Sequence, residues 1–247
     1  MDCIGLKFSI IIPTLNEEKL LPNLLSQLND FELRKNLDFD VIISDGGSID
    51  KTIDIALNNS DVVVVHTKRE KQNIALGRNS GARLASGDIF IFINADVLIP
   101  DIKLFFKYLE TNFIESDYLA MTCKVKVFPE EEILSDKLFH TGYNGYFHFL
   151  NSLGLGMGRG ECQVIRKNIF EIVGGYNEKL AAGEDFDLFR RIRRLGKILF
   201  TTDVCVYESP RRFRKVGYGG VTISWAKNGL SVLLKNKSIS KEWEQVR

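Results

Sequence analysis

The sequence predicts an α/β fold in which a mostly parallel central sheet carries helices on both faces. Apolar, β-branched runs alternate with stretches of helical periodicity, as in sheets whose parallel strands are joined by helices. Two of these runs end in an acid, Asp45 in IISDGGSIDKT and Asp96 in IFIFINADVLIP. Ligands bind beyond the carboxyl ends of strands in such sheets, so both acids are expected to reach one pocket. The alternative is that both are turn residues, since Asp-Gly is favoured in turns.

The first hundred residues contain four predicted strands. They cover residues 8–12, 40–44, 61–66 and 88–93. A helix between the first two is indicated by leucines at helical spacing: Leu20, Leu21, Leu24, Leu25 and Leu28. Asn16 is the candidate cap of this helix, and Pro22 suits its first turn because that position needs no backbone N–H bond.

Three more helices are predicted after the second strand. One spans residues 51–58, with Ser48 or Asp50 as its cap. Another runs over residues 72–85 and ends at a Ser-Gly-Asp stop. The next follows Pro100 and is indicated by apolar residues at helical spacing: Leu104, Phe105, Tyr108 and Leu109.

The second half of the chain departs from this regular alternation. Strands are predicted over residues 119–128, 162–165 and 198–206, and a helix opens near Glu184. The intervening stretch is rich in aromatic residues (Phe139, Tyr143, Tyr146, Phe147 and Phe149) and ends in GLGMGRGE, which predicts a mobile glycine-rich loop. Packing is the favoured interpretation of these rings over a ligand shelf. His140 and His148 have no metal-ligand spacing and are interpreted as structural.

Composition excludes several classes of function. With 247 residues the chain can form one α/β domain, and 33 basic against 32 acidic residues leave no overall charge for binding nucleic acid. The four cysteines are scattered, which favours free thiols in a reduced cytoplasmic setting over a disulfide framework or a zinc site. No leader peptide and no transmembrane helix are recognised.

The single domain is expected to have three parts. Residues 1–100 form a nucleotide-binding half, residues 101–215 an acceptor and catalytic half, and residues 216–247 a helical tail. The tail contains apolar residues flanked by lysines (Trp225, Leu230, Val232, Leu233 and Leu234 with Lys227, Lys235 and Lys237). Such a helix can lie at an anionic membrane surface, so peripheral contact with the inner face of a membrane is considered beside plain core packing.

Five motifs in a fixed order carry a family resemblance. They are SIIIPTLNEE, SDGGSIDKT, GRNSGARLASGD, FINAD and IRKNIFEIVGGYNEKLAAGEDFDLFRRIRRLG. The ordered set resembles the family-two glycosyltransferases, and most closely a subgroup of small soluble bacterial and archaeal members. The resemblance runs from Phe8 to about Phe213. It implies a GT-A fold with a Rossmann-like sheet, a nucleotide-sugar donor and a divalent cation.

Site residues follow from the resemblance position by position. It implies a nucleotide site formed by Pro13, Thr14, Glu17, Asp45, Arg78, Asn94, Ala95 and Asp96. Among these, Asp45 accepts a hydrogen bond from the base, and Arg78 lies near the donor diphosphate or sugar. Asp96 matches the acid that ligates Mg²⁺ or Mn²⁺. The first acid of that motif is replaced by Asn94, which brings no charge and therefore weakens metal affinity more than nucleotide binding.

The resemblance also supplies the candidates for chemistry. Asp185 in GEDFD matches the general base that takes the acceptor proton, and Glu184 would support it. The alternative is that these acids only complement the dipole of a helix N-terminus. Weaker matches to substrate-binding positions are Gly160, Glu161, Arg211 and Arg212, the arginines because guanidinium groups bind phosphate well. Glu208 stands near the position of a metal-binding histidine in relatives, but a surface glutamate is the favoured interpretation.

Together these observations predict an inverting glycosyltransferase that moves a sugar from a UDP- or GDP-sugar to an alcohol or phosphate acceptor, including lipid-linked ones. A nucleotidyltransferase is the rival enzyme, but PTLNEE lacks the glycine-rich, lysine-containing loop expected of it. A nucleotide-sugar-binding subunit without activity is the non-enzyme rival, and Asn94 makes it conceivable. Retention of Asp96 and Asp185 argues for the enzyme.

Overall fold

The computed structural model describes residues 7–67, 72–235 and 237–240, and within them eight strands form one sheet. The strands are β1 (Phe8–Thr14), β2 (Phe39–Asp45), β3 (Val62–Val65), β4 (Ile89–Ile93), β5 (Val97–Leu98), β6 (Tyr118–Val127), β7 (Cys162–Arg166) and β8 (Lys197–Glu208). Their order across the sheet is β3-β2-β1-β4-β7-β6-β8-β5. The seven predicted strands are confirmed, and the short β5 is an addition.

Helices flank the sheet and connect its strands. They are α1 (Leu21–Leu28), α2 (Phe31–Asn36), α3 (Thr52–Asn59), α4 (Ile74–Leu84), α5 (Ile102–Tyr108), α6 (Leu134–Ser152), α7 (Lys167–Ile172), α8 (Glu184–Arg193), α9 (Arg211–Val216) and α10 (Tyr218–Lys235). A π-helical turn, Leu109–Ile114, extends α5. None of the helices in the described part of the chain is long and apolar enough to cross a membrane.

The α/β prediction is confirmed, and the sheet is mixed. Strands β3, β2, β1 and β4 are parallel neighbours, as the alternating pattern predicted. Strand β7 is antiparallel to both β4 and β6, β6 and β8 are parallel, and β5 is antiparallel to β8. The parallel half therefore brings the ends of β1, β2 and β4 to the same edge of the sheet.

Both faces of the sheet are covered, which explains the continuous apolar character of its strands. In β1, Ile10 and Ile12 belong to a core cluster on one face, with the leucines of α1. Ile11 belongs to a second cluster on the other face, with Ala75 of α4. Helix α4 approaches β1 closely because Gly81 has no side chain, and a Cβ there would lie 2.5 Å from Cγ2 of Ile11.

The predicted cap of α1 is wrong, although Pro22 does occupy the first turn of that helix. Asn16 has a positive φ of 52°, and its Oδ1 accepts the backbone N–H of Ile49. It therefore ties the loop after β1 to the loop after β2. The cap position of α3 is Lys51, and the Ser48 hydroxyl is used by Asp45 at 2.6 Å. Asp50, the other candidate for α3, accepts the backbone N–H of Thr52, the first residue of that helix, at 3.0 Å.

Helix α6 occupies most of the stretch in which no helix was predicted. It has nineteen residues, and its buried positions are Asp136, His140, Asn144 and Phe147. Asn144 bonds the backbone of Val125 in β6 twice, accepting its N–H at 3.1 Å and donating to its carbonyl at 2.8 Å. The carboxylate of Asp136 accepts a bond from Arg214 of α9 at 2.8 Å. These polar contacts hold α6 against the sheet and against α9.

The cysteine prediction is confirmed for three of the four residues. Cys123, Cys162 and Cys205 are free thiols, and Cys3 lies outside the described residues.

Candidate active site

A cavity of about 850 Å³ opens beyond β1 and β4. Most of the predicted site residues line it: Pro13, Glu17, Arg78, Asn94, Ala95, Asp96, Gly160, Glu161, Glu184, Asp185, Arg211 and Arg212. They come from parts that are far apart in the chain: the loops after β1 and β4, helix α4, the loop before β7, and the starts of α8 and α9. The fold thus gathers the nucleotide, metal and catalytic candidates around one space.

Thr14 and Asp45 are buried beside this cavity and are not among its lining residues. The Asp45 carboxylate accepts four hydrogen bonds, from the Thr14 hydroxyl at 2.8 Å, the Ser48 hydroxyl at 2.6 Å, and the backbone N–H groups of Gly47 and Ser48 at 2.9 and 2.7 Å. It therefore organises the loop after β2. A direct bond from Asp45 to a nucleotide base stays a prediction.

Arg78 connects three of the loops that form the site. Its side chain projects from α4 and is only 1% exposed. Nη1 donates to Oε1 of Glu184 at 2.9 Å, and Nη2 donates to Oδ1 of Asn94 at 3.1 Å and to the carbonyl of Gly160 at 2.7 Å. The turn after β4, the glycine-rich loop and the start of α8 are thereby fixed to one guanidinium group.

Asp185 lies in the first turn of α8, which begins after Gly183 in a left-handed conformation (φ 79°). Its Oδ1 accepts the backbone N–H of Phe186 at 2.7 Å. The pKa of Asp185 is raised from 3.8 to about 7, mainly by burial and in addition by the charge of the neighbouring Glu184, while Arg78 opposes the rise. A carboxylate with a pKa near neutrality is suited to accept a proton from a hydroxyl.

Gly160 is in close contact with this carboxylate. A Cβ at position 160 would lie 3.2 Å from Oδ2 of Asp185 and 3.4 Å from Nη2 of Arg78. The first distance is shorter than an ordinary contact, and the second is at the lower limit of one. A glycine therefore lets the loop before β7 approach both side chains, and the sequence resemblance gave this residue only a weak substrate-binding role.

Asp96 and Glu17 share one arginine at the end of the cavity that lies beyond β1 and β4. Nη2 of Arg211 donates to Oε1 of Glu17 at 2.5 Å and to Oδ2 of Asp96 at 3.0 Å. The Asp96 side chain keeps 23% of its surface exposed to the cavity. A cation at Asp96 would therefore compete with Arg211 for the same carboxylate.

Glu208 is not a surface residue, contrary to the favoured sequence interpretation. It lines the cavity at the end of β8, and its side chain is only 13% exposed. Its Oε1 has no hydrogen bond and lies 3.6 Å from Nη2 of Arg159 and 3.7 Å from Nδ1 of His140. Burial raises its pKa well above the ordinary value, and the charges of Glu161 and Asp96 add to this.

The donor set fits a divalent cation whose remaining ligands come from the donor substrate. Asp96 offers a partly exposed carboxylate, and Glu208 offers a buried oxygen without a hydrogen bond. Both are hard oxygen ligands of the kind that Mg²⁺ and Mn²⁺ prefer, usually together with substrate phosphates and water. The Asn94 oxygen already accepts from Arg78. Within the described residues, no three His, Cys, Asp or Glu side chains are grouped as a complete metal site.

Arg159 and Glu161 form a buried ion pair at the floor of the cavity. Nε and Nη2 of Arg159 each donate to a Glu161 oxygen at 3.2 Å. The guanidinium group lies over the rings of Tyr143 and Phe147, at 5.6 and 5.4 Å from their centres. Glu161 therefore positions Arg159. The family resemblance had already marked Glu161 as a weak substrate-binding position, and the glycine-rich run around Arg159 was the further signal in the sequence.

The two histidines of α6 support the structural interpretation. His140 is buried, and burial lowers its pKa to about 4, so its ring is neutral at physiological pH. Its ring packs edge-on against Phe213. The ring of His148 stacks on Phe200 of β8. Both histidines contribute packing.

The aromatic stretch serves both packing and the cavity. Phe139 packs against Phe213 and Tyr218, as the packing interpretation predicted. Other residues of this stretch, of the glycine-rich loop and of α10 form an apolar wall of the cavity, namely Tyr143, Tyr146, Phe147, Leu150, Leu155, Met157, Trp225, Leu230 and Leu233. The wall belongs to the part of the cavity formed by the second half of the chain.

Comparison with known sequences places these features in a family. The profile described as "Glycosyl transferase family 2" matches residues 9–171. The chain is 39% identical over 95 residues to "Uncharacterized glycosyltransferase YfnE" of Bacillus subtilis, covering 38% of this chain and 24% of that protein. It is 30% identical over 206 residues to "Succinoglycan biosynthesis protein ExoA" of Rhizobium meliloti, covering 78% and 60%. The chain thus spans less than two thirds of these relatives.

Solved structures show the same fold at low sequence identity. A mannosyltransferase from Pyrobaculum calidifontis, in complex with GDP-Man and Mn²⁺, is 19% identical with a TM-score of 0.67, covering 92% of this chain and 63% of that one. Glucosyl-3-phosphoglycerate synthase from Mycobacterium tuberculosis, in complex with Mn²⁺, UDP and glucosyl-3-phosphoglycerate, is 17% identical with a TM-score of 0.61, covering 93% and 79%. The GT-A fold predicted from the motifs is confirmed.

Proposed function

The chain belongs to glycosyl transferase family 2, and we propose that it is an inverting glycosyltransferase that uses a UDP- or GDP-sugar as donor. The observation that carries the proposal is the cavity that contains both Asp96 and Asp185. The Asp96 carboxylate suits a metal ion bound to the diphosphate of the donor. The Asp185 carboxylate has a pKa suited to accepting a proton from the acceptor hydroxyl. A single displacement needs both in one space.

Asp185 acts as the general base in this proposal. The acceptor oxygen attacks the anomeric carbon while its proton passes to the Asp185 carboxylate, and the bond from that carbon to the diphosphate oxygen breaks. Attack from the face opposite the leaving group inverts the anomeric configuration. Glu184, held by Arg78 at 2.9 Å, raises the pKa of Asp185 and fixes the start of α8. It is a positioning residue.

The departing nucleoside diphosphate needs positive charge near its oxygens. Arg211 and Arg212 line the cavity near Asp96 and can supply bidentate hydrogen bonds to phosphate. Mg²⁺ or Mn²⁺, held by Asp96 and Glu208 when bound, would neutralise the diphosphate further. Pro13, Ala95 and Glu17 then contact the nucleotide, and Gly160 lies beside the donor sugar.

A thermal-shift panel tests this proposal. UDP, GDP and their sugars are added with and without Mn²⁺, because a ligand at a hundred times its Kd stabilises a protein by about 2.7 kcal/mol. We expect one nucleoside diphosphate series to stabilise the chain, more strongly with Mn²⁺, and to be turned over. Preference for a nucleoside triphosphate would indicate a nucleotidyltransferase. Donor binding without turnover, whatever the acceptor offered, would indicate a subunit without activity.

Peripheral contact with a membrane is proposed for the outer face of α10. Leu234 is 70% exposed there and is flanked by Lys235, whereas Val232 is buried. An exposed leucine beside a lysine can bind an anionic bilayer surface. Flotation with anionic liposomes tests this contact. We expect part of the protein to rise with the vesicles, and protein left entirely at the bottom of the gradient would reject it.

A further inference from the structure

The cavity has two chemically different ends. The nucleotide end is charged and contains Asp96, Arg78 and Arg211. The other end lies between α6 and α10, and its walls are apolar. They include Tyr146, Phe147, Leu150, Leu155, Trp225 and Leu233. Asp185 lines the same cavity, so a molecule whose oxygen reaches Asp185 from the side away from the nucleotide must lie along these walls.

Several wall residues expose more apolar surface than packing requires. Tyr146 is 51% exposed, Leu155 50%, Leu230 57% and Leu233 45%. The helices touch through the rings of Tyr143 and Trp225, whose centres are 5.2 Å apart. Apolar side chains grouped at a cavity and left half exposed mark a binding surface. The unfilled surface therefore points to an apolar ligand group.

Most polar side chains at this end are already bonded within the protein: Arg159 to Glu161, Thr222 to the carbonyl of Tyr218, and Ser240 to Asn228. Asn228 is the main amide there, and its side chain is already bonded to Ser224, Ser240 and the backbone of Ile239. A hydrophilic sugar placed along the wall would lose hydrogen bonds to water without replacing them. An alkyl or aryl group would instead be buried against the wall, and both apolar surfaces would be removed from water.

We propose that the acceptor is an amphiphile, a molecule whose reacting oxygen is carried close to an apolar alkyl or aryl group that lies between α6 and α10. This inference rests on the proposed function, because it names the acceptor class of that site. The oxygen reaches Asp185, and the apolar group contacts Tyr146, Phe147 and Leu233. The nucleotide end of the cavity determines which donor binds, and it does not determine which acceptor binds.

Neighbouring residues on both helices provide matched controls. Leu233 lines the cavity, and the next residue, Leu234, does not, although it is more exposed. Tyr146 lines the cavity, and Phe149, which is 58% exposed on the same helix, does not. Binding of an acceptor in the cavity should depend on Leu233 and Tyr146, the first member of each pair. A general apolar patch or a membrane surface would depend on both members.

Binding of n-alkyl β-D-glucopyranosides with one, four, six and eight carbons, and of phenyl β-D-glucopyranoside, tests the inference. The protein is kept with UDP or GDP and Mn²⁺, and every glucoside is used below its micelle concentration. We expect the Kd to fall about fourfold for each methylene that enters the cavity. If phenyl glucoside binds as tightly as hexyl glucoside, the apolar group of the acceptor is an aryl group. If it binds more weakly, that group is an alkyl chain. Either outcome supports an amphiphilic acceptor.

The variants decide where the apolar group binds. L233S and Y146S are expected to weaken octyl glucoside binding at least tenfold, and L234S and F149S to leave it unchanged. Circular dichroism and nucleotide affinity, measured on each variant, should stay at parent values because none of the four residues lies at the nucleotide end. A Kd that does not depend on chain length, or equal losses within each pair, would overturn the inference. Failure of every nucleotide to bind would instead overturn the proposed function.

Discussion

Replacement of Asp185 by Asn tests the assigned base through both stability and rate. The substitution keeps the size of the side chain and a carbonyl that can accept the N–H of Phe186. It removes the ionisable group whose pKa burial raises to about 7. In the parent protein, folding therefore takes up a proton between the unfolded pKa of 3.8 and the folded pKa of about 7.

The sign of the stability effect follows from this proton uptake. The ionised Asp185 destabilises the folded parent, with no effect below pH 4, a growing effect as pH rises, and the full effect above pH 7. Each pKa unit corresponds to about 1.4 kcal/mol, so the loss of unfolding free energy caused by the ionised Asp185 is at most about 4 kcal/mol. Water in the cavity screens the carboxylate, so we expect D185N to be about 1–2 kcal/mol more stable than the parent at pH 8.

Urea unfolding of both proteins from pH 5 to pH 8 measures this difference, and the transfer rate is measured on the same preparations. We expect the parent rate to rise with pH through about 7 and the D185N rate to be lower by roughly a hundredfold or more, with donor affinity retained. If Asp185 only complements the helix dipole, the variant should lose about 0.3–1 kcal/mol and keep its rate per folded molecule. That result would refute the reasoning and move the search for a base to Glu184 or Asp187.

Three further substitutions test other parts of the site. D96A should abolish the strengthening of nucleotide-sugar binding by Mn²⁺ in calorimetry, and an unchanged Mn²⁺ effect would contradict the metal assignment. R78M leaves buried Glu184 without its cation, so it should lose about 3–5 kcal/mol in urea unfolding and shift the pH–rate curve to higher pH, whereas R78K should keep the curve in place. G160A places a methyl group 3.2 Å from Oδ2 of Asp185 and should lower transfer about tenfold with nucleotide affinity unchanged. G145A, with no atom within 4 Å, is its control, and equal rates in both variants would argue against the contact.

The parallel half of the fold and most of the site could be predicted because their signals are local in the sequence. A strand buried on both faces is continuously apolar, and an acid after it, such as Asp96, marks the edge where ligands bind. Helix α6 lacked such a signal because three of its four buried residues, Asp136, His140 and Asn144, are polar. It is held by hydrogen bonds to β6 and α9 and by ring contacts with α9 and α10, all of which are distant in sequence. Hydrophobic periodicity does not report contacts of this kind.

The interpretation of Glu208 failed for a related physical reason. A glutamate at the end of a strand is usually exposed, and nothing in YESPRRF indicates otherwise. Its burial depends on Arg159 from the glycine-rich loop and His140 from α6, which close over it in three dimensions. The partners of a buried charge are rarely neighbours in sequence, so its environment becomes visible only once the fold is known.

Asn94 illustrates how a departure from a family motif can acquire a structural reason. Its amide oxygen accepts one hydrogen bond from Arg78, whose other donors hold Glu184 and Gly160. A carboxylate at this position would compete with Glu184 for the same buried guanidinium and would add a third acid near Asp185. The neutral amide keeps the geometry of the Arg78 contacts without that competition. Under the proposed function, a neutral residue at position 94 adds no further negative charge beside Asp185, and a cation at Asp96 would depend on the phosphates of the donor and on Glu208.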